Sequence, residues 1–210
     1  MLLAAGVDVS ARVLHAVVLG SPSCEVAAVH EWSADDPSGL VDVLRAGGVT
    51  RAAIDAPAAV SAGAHADDEA LGRKFRGARC GEVALGREHG VWVAWVPPPA
   101  RPAVAWMEAG FDLFSACVAA GLDAVETFPY AVFRSLAGGA RLPKKSSVTG
   151  REARVALLLA AGVDVAATGA PPTHDVVDAA ACALVAADPD AVRVTCGHDD
   201  SAIWLPSSPI

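Results

Sequence analysis

Three apolar runs crowd into the start of the chain, at residues 1–9, 13–19 and 25–32, with only Ser10, Ala11 and Arg12 between the first two. Links that short can make turns but cannot carry a crossover helix, so the runs predict an antiparallel meander. The pattern then changes to strands alternating with helices. A helix is expected over Pro37–Ala46, with Asp36 as N-cap, Pro37 at the first helical position and Gly47 as the stop. A buried strand follows at 50–56, closed by Pro57. Residues 61–101 mix Gly, Ala and charges and end in Pro97-Pro98-Pro99, which reads as an irregular excursion with one short helix. Beyond it come a helix at 101–120 ending at Gly121, a strand at 123–128, and a short helix opened by Pro129 and stopped by Gly138-Gly139. Thr149-Gly150-Arg151-Glu152 reads as a capping box before a helix at 151–161. A last helix is expected at 173–187 and a closing hairpin from 192–195 and 202–205. A meander followed by strand–helix alternation implies an α/β fold, a mixed five-stranded sheet covered on both faces. At 210 residues, 53% hydrophobic and 19% charged, the chain can fill such a core as a single domain over 1–210.

Several classes are disfavoured. No stretch approaches the ~18 uninterrupted apolar residues of a membrane helix. The apolar N-terminus lacks a basic leader and is broken by Asp8 and Arg12, so it reads as strand and not as an export signal. Cys24, Cys80, Cys117, Cys182 and Cys196 are scattered and odd in number, with no Cys-x-x-Cys pair. That argues against a disulfide framework or zinc knuckle and for a reducing cytoplasm. A net charge of −8 disfavours, without forbidding, a nucleic-acid partner gripped through many phosphates. The same acidic, apolar-rich composition leaves room for a homo-oligomer. No P-loop, dinucleotide fingerprint or nucleophile elbow is present, and the six histidines show no metal-ligand spacing.

Chemistry is suggested by acids at the ends of apolar strands. Asp8 lies in Leu3-Ala4-Ala5-Gly6-Val7-Asp8-Val9, where an unpaired carboxylate costs several kcal/mol unless a hydrogen bond or cation compensates. Asp55 repeats the pattern in Ala52-Ala53-Ile54-Asp55-Ala56-Pro57, although an Asp before Pro also suits a turn. Asp175 and Asp178, three apart at a helix start, can share one face; as N-cap and first-turn acid they would need no further role. Glu126 ends another strand before Pro129 and could reach the same edge or cap the helix. Carboxylates gathered at one site raise each other's pKa and call for a cation, and hard oxygen ligands select Mg²⁺ or Mn²⁺. Of the two basic clusters, Arg73, Lys74, Arg76 and Arg79 are expected to pair with Asp67, Asp68 and Glu69. Lys144, Lys145, Arg151 and Arg154, beside a helix start, are the better phosphate candidates. Trp92, Trp95 and Trp106 read as packing residues of the excursion or core.

Taken in order, Gly6-Val7-Asp8-Val9, Ile54-Asp55-Ala56-Pro57, Glu126-Thr127-Phe128-Pro129 and Asp175-Val176-Val177-Asp178-Ala179 resemble an uncharacterised family of predicted ribonuclease H-like nucleases. Arg79-Cys80 and the triple proline match it too. That family is similar in turn to the RuvC-type Holliday-junction resolvases. The resemblance implies a ribonuclease H-like sheet whose first three strands are antiparallel, and a metal-dependent nuclease with Asp8, Asp55, Asp175 and Asp178 as catalytic metal ligands. Glu126, Lys144 and Arg151 are the expected substrate contacts. Asp55 is one methylene shorter than the glutamate of the resolvase pattern. The alternatives are a non-catalytic interaction protein of the same fold, or an actin-like or sugar-kinase-like nucleotide-binding domain. The second is opposed by the single copy of the fold and the missing glycine-rich phosphate loops.

Overall fold

The computed structural model describes residues 2–21, 23–168 and 171–207. The early runs form β1 (Leu2–Val9), β2 (Val13–Ser21) and β3 (Val26–Ser33), paired antiparallel in sequence order. Ser10 closes the first turn, its hydroxyl accepting from Val13 N at 3.0 Å and donating to Val13 O at 2.9 Å. After α1 (Pro37–Ala46), β4 (Val49–Asp55) returns parallel to β1, and β5 (Asp123–Glu126) adds parallel to β4. The sheet order is β3-β2-β1-β4-β5. β3 alternates half-buried and exposed positions along its length, as an edge strand should, while β1 is buried from Ala4 to Val9.

Helices cover both faces. On one, Leu40, Val41 and Leu44 of α1 join Leu113, Phe114 and Cys117 of α3 (Ala105–Ala120) over Ala5, Val7, Ala52 and Ile54. The other face, carrying Ala4 and Ala53, packs against α6 (His174–Ala187), backed by α2 (Cys80–His89), α4 (Pro129–Leu136) and α5 (Val148–Ala160). β6 (Val192–Val194) and β7 (Ile203–Leu205) form the expected hairpin, and Trp204 bridges to Thr127 beyond β5. No helix among the described residues is long and apolar enough to cross a membrane.

Gly6 sets how closely α6 approaches. A Cβ there would fall 2.0 Å from Ala183 N and 2.1 Å from Ala179 O, both backbone atoms of a helix with small residues from Ala179 to Ala183. Neither can yield without lifting the helix off the sheet. Gly6→Ala is therefore expected to cost ~3 kcal/mol or more, by overpacking against backbone. An unfolding free energy from urea melts within ~0.5 kcal/mol of wild type would contradict this contact.

Four expectations are corrected. α3 starts at Ala105 and not near 101, because the residue before a proline avoids the helical region. Arg101 instead pairs with Glu108 and, at 2.8 Å, with Asp112. α5 is capped by Ser147, whose Oγ accepts from Gly150 N at 3.0 Å, so the expected Thr149 box lies inside the helix. Thr173 and not Asp175 caps α6, accepting from Val176 N. Finally, Cys80 and Cys196 are joined by a disulfide across 116 residues. The hairpin docks on α2, where Gly81 N donates to Ser201 Oγ at 3.1 Å, so residues remote in sequence meet. Spacing along the chain carries no sign of that contact.

Candidate active site

Ala4, Gly6 and Asp8 share the α6-facing side of β1, and Ala53 and Asp55 the same side of β4. In the parallel register Asp8 stands opposite Asp55, so both acids leave the sheet side by side at the strands' C-terminal ends. The close seat of α6 on Gly6 brings Asp178, one turn into that helix, over the same spot. Asp8 and Asp178 are 5% and 3% exposed, while Asp55 is half-buried at the rim. Lys145 enters from the loop between α4 and α5, and its Nζ lies 2.5 Å from Asp178 Oδ2.

The electrostatics follow from this crowding. Burial, then the Asp178 charge, pushes the Asp8 carboxyl up from 3.8 to about 7, against the pull of Lys145 and of a hydrogen bond with Asp55. Burial, reinforced by Asp8 and Asp178, holds Asp55 well above the usual carboxylate range. Asp178 is raised by burial too, with Lys145 opposing. Burial alone would lower Lys145, but the charge and hydrogen bond of Asp178 together with the charges of Asp8 and Asp55 outweigh it, and the ammonium is held more firmly than in water. Two buried carboxyls and the half-buried one beside them thus have one monovalent cation among them, a charge set that favours further positive charge.

Lys145 is not loosely placed. Arg154, 4% exposed, donates to Pro143 O at 2.9 Å and Gly150 O at 2.8 Å, closing the loop from both ends. Ser147 Oγ donates to Lys144 O at 2.7 Å, and a Cβ on Gly150 would meet that carbonyl at 2.0 Å. A cavity of about 480 Å³ opens here, lined in part by Asp55, Phe128, Tyr130, Lys144, Lys145 and Asp178.

Glu126 is placed differently. Arg79 donates to it at 2.9 and 2.6 Å, and Ala58 N donates to its Oε2 at 2.9 Å. Arg79 also grips Glu82, which accepts from Arg79 N at 2.7 Å. All three side chains are under a tenth exposed. Burial raises Glu82 to about 7 even against the Arg79 charge. Glu126 therefore fixes the turn after Asp55, with both carboxylate oxygens already engaged.

Of the sequence-proposed residues, the fold brings together Asp8, Asp55, Asp178 and Lys144. Asp175 sits one turn away, its Oδ1 2.6 Å from His174 Nδ1. Arg151 is exposed on α5 outside the cavity lining. Sequence reasoning did not single out Lys145 from Lys144, nor the roles of Arg154, Arg79 and Glu82. A buried arginine within a charged run leaves no mark on hydropathy. The first basic cluster does not pair as expected either: Asp68 binds Arg87 at 2.8 Å, and Lys74 donates to backbone carbonyls of Val93 and Ala94. Trp95 is 62% exposed, and with Trp106, Phe128 and Asp55 it lines a second, narrow pocket; it is not packing in the interior.

Among solved structures, the chain is similar to that titled "Thermus thermophilus RuvC structure" at a TM-score of 0.51 and 14% identity, over 87% of this chain and 91% of that one. A second similar structure, of T. thermophilus RuvC in complex with a Holliday junction substrate, matches at 0.49 and 14%, over 88% and 92%. At that identity the first likeness establishes the fold, which is ribonuclease H-like. No curated protein matches the chain. A family model described as "Protein of unknown function (DUF429)" matches residues 6–201, and the chain belongs to that family.

Proposed function

We propose that this chain is a metal-dependent nuclease that hydrolyses phosphodiester bonds of RNA or DNA. The observation that carries the reading is Asp8 and Asp55 paired at neighbouring strand ends, with Asp178 near enough to raise both carboxyls and the Lys145 ammonium held against Asp178. The donor set suits a hard divalent cation: every donor is a carboxylate oxygen, and a stand-in cation already occupies part of the place. Asp8, Asp55 and Asp178 would hold Mg²⁺ or Mn²⁺, with Asp175 on the same helix as a further candidate. When bound, such an ion supplies Lewis acidity for attack at phosphorus. The chain's own groups do the rest. Lys144, exposed on the arginine-clamped loop, pairs with a substrate phosphate. Phe128 and Tyr130 in the larger cavity, with Trp95 and Trp106 beside Asp55, offer faces on which bases stack.

The test is a cleavage panel of single-stranded RNA, single-stranded DNA and branched duplex DNA with Mn²⁺ or Mg²⁺. Cleavage of at least one substrate that stops on chelation and returns with added metal is expected. Cleavage indifferent to chelation, or none on any substrate, would overturn the proposal. One observation favours a second reading, a non-catalytic fold held together by its charges: Lys145 already neutralises one of the carboxylates. Under that reading divalent metal leaves the melting temperature unmoved.

A further inference from the structure

A second cluster of chemistry-bearing side chains lies away from the carboxylates. Cys80 opens α2 and is fully buried; Cys196 follows β6; His65, 5% exposed, approaches both from the excursion. His65 Nε2 lies 3.6 Å from Cys80 Sγ and 3.4 Å from Cys196 Sγ. Among the described residues, only these three bring potential ligand atoms from three side chains within 4.8 Å of one another. In the structure the sulfurs are joined, which accounts for the pair but not for a buried imidazole nitrogen aimed at both of them.

We propose that His65, Cys80 and Cys196 form a zinc site when the disulfide is reduced, so that metal and disulfide are alternative staples between α2 and the β6–β7 hairpin. Four observations carry it. First, tetrahedral Zn²⁺ with bonds of roughly 2.3 Å to sulfur and 2.0–2.1 Å to nitrogen has N···S edges of about 3.5 Å, the spacing His65 already keeps to both sulfurs. Second, His198 N donates to Cys80 Sγ at 3.2 Å, the kind of outer contact that steadies a metal-bound thiolate. Third, Cys80 sits at the first turn of α2, where the helix dipole favours thiolate. Fourth, the exposed His198 ring lies 5.7 Å from that of His65, edge to face, on the side of a cleft lined by Ala58, Arg79 and Asp199. It offers an imidazole for the fourth position, which water otherwise fills.

The two states interconvert with a balanced exchange. A dithiol reductant gives two electrons and two protons to the Cys80–Cys196 bond, becoming a disulfide itself and leaving two protein thiols. Zn²⁺ then displaces those two protons. Oxidation by a small disulfide reverses the sequence, returning two electrons to the oxidant and releasing the ion. Cys24, Cys117 and Cys182 lie apart from the cluster and take no part.

The site does not depend on the nuclease reading, and its test uses no substrate. The full chain is reduced with a phosphine, desalted without air and titrated with Co²⁺. The expected result is thiolate-to-cobalt charge-transfer absorption and intense tetrahedral d–d bands that saturate as a single thiolate site fills and that Zn²⁺ bleaches. The oxidised protein should show neither. Cys196→Ser, on the half-buried side, should abolish the charge-transfer band, His65→Ala should weaken binding at least ~10-fold, and Cys24→Ser should leave both unchanged. Circular dichroism confirms that each variant is folded, and Cys80→Ser serves as the second thiolate variant if Cys196→Ser is not. A reduced wild-type protein without the charge-transfer band would overturn the proposal, as would a folded Cys196→Ser that keeps it. Carboxylate-bound Co²⁺ gives no such band, so the two sites stay distinguishable.

Discussion

Asp8→Asn should remove metal-supported cleavage, by about 10³-fold or more, and at the same time make the metal-free protein more stable at pH 8. The two effects share one cause. Asp8 is nearly fully buried beside Asp55 and Asp178, and its pKa is about 7 in the fold against 3.8 ordinarily. A carboxyl whose folded-state pKa is raised contributes stability below pH ~4 that is lost as pH rises through about 7. About three units at 1.36 kcal/mol each sets the loss on the order of 4 kcal/mol at pH 8. Asp55 is shifted in the same direction, so the slope belongs to the carboxylate set as a whole. Asparagine keeps the shape and carries no charge. Wild type and variant should therefore melt alike near pH 4, while at pH 8 the variant melts higher. Added Mg²⁺ should close the gap by stabilising wild type far more than Asp8→Asn. Melting curves at four pH values, with and without Mg²⁺, measure this. A wild-type stability that rises steadily from pH 4 to 8 without metal would refute the burial argument, and undiminished cleavage by a folded variant would refute the catalytic one.

Much of the fold was readable because it rests on local signals. The meander followed from three short-linked apolar runs. Asp36, Pro37 and Gly47 bounded α1 where the structure has it, since a cap and its partner N–H lie three residues apart. The acids at strand ends were readable for the same reason: Asp8 and Asp55 interrupt runs that otherwise have no cause to carry charge. What failed was long-range or decided by side-chain competition. Ser147 won the cap of α5 from Thr149 because Gly150 packs on the Lys144 carbonyl. The Cys80–Cys196 link depends on where the hairpin docks, and no count or spacing of cysteines encodes that. Lys145 differs from Lys144 only in the direction a clamped loop gives it. The exposed Trp95 shows the same limit from the other side, since hydropathy places a tryptophan inside when its pocket is not known.

The largest purely structural effect is expected at Arg79. Its guanidinium sits between Glu82 and Glu126, with all three side chains nearly sealed from water, and five hydrogen-bond contacts to side chain or backbone define the triad. Burial disfavours the guanidinium charge, but Glu126 and Glu82 outweigh it, so the proton is held more firmly than usual. Arg79→Met fills similar volume and strands two carboxylates in the interior, a change that costs about 3–5 kcal/mol when a buried ion pair loses one partner. The stranded acids can escape only by taking up protons, so the loss should be smaller at pH 5 than at pH 8. Adding Glu82→Gln and Glu126→Gln removes the uncompensated charge and should recover much of the stability, whereas a defect of packing would persist. Because Glu126 also accepts from Ala58 N, Arg79→Met frees the turn behind Asp55 as well. Metal-supported cleavage should therefore fall even at temperatures where the variant is fully folded. Urea melts of the single and triple variants at the two pH values decide the matter: a single variant within ~1 kcal/mol of wild type at pH 8, or a triple variant no better than the single, would show that the triad does not hold this edge of the sheet together.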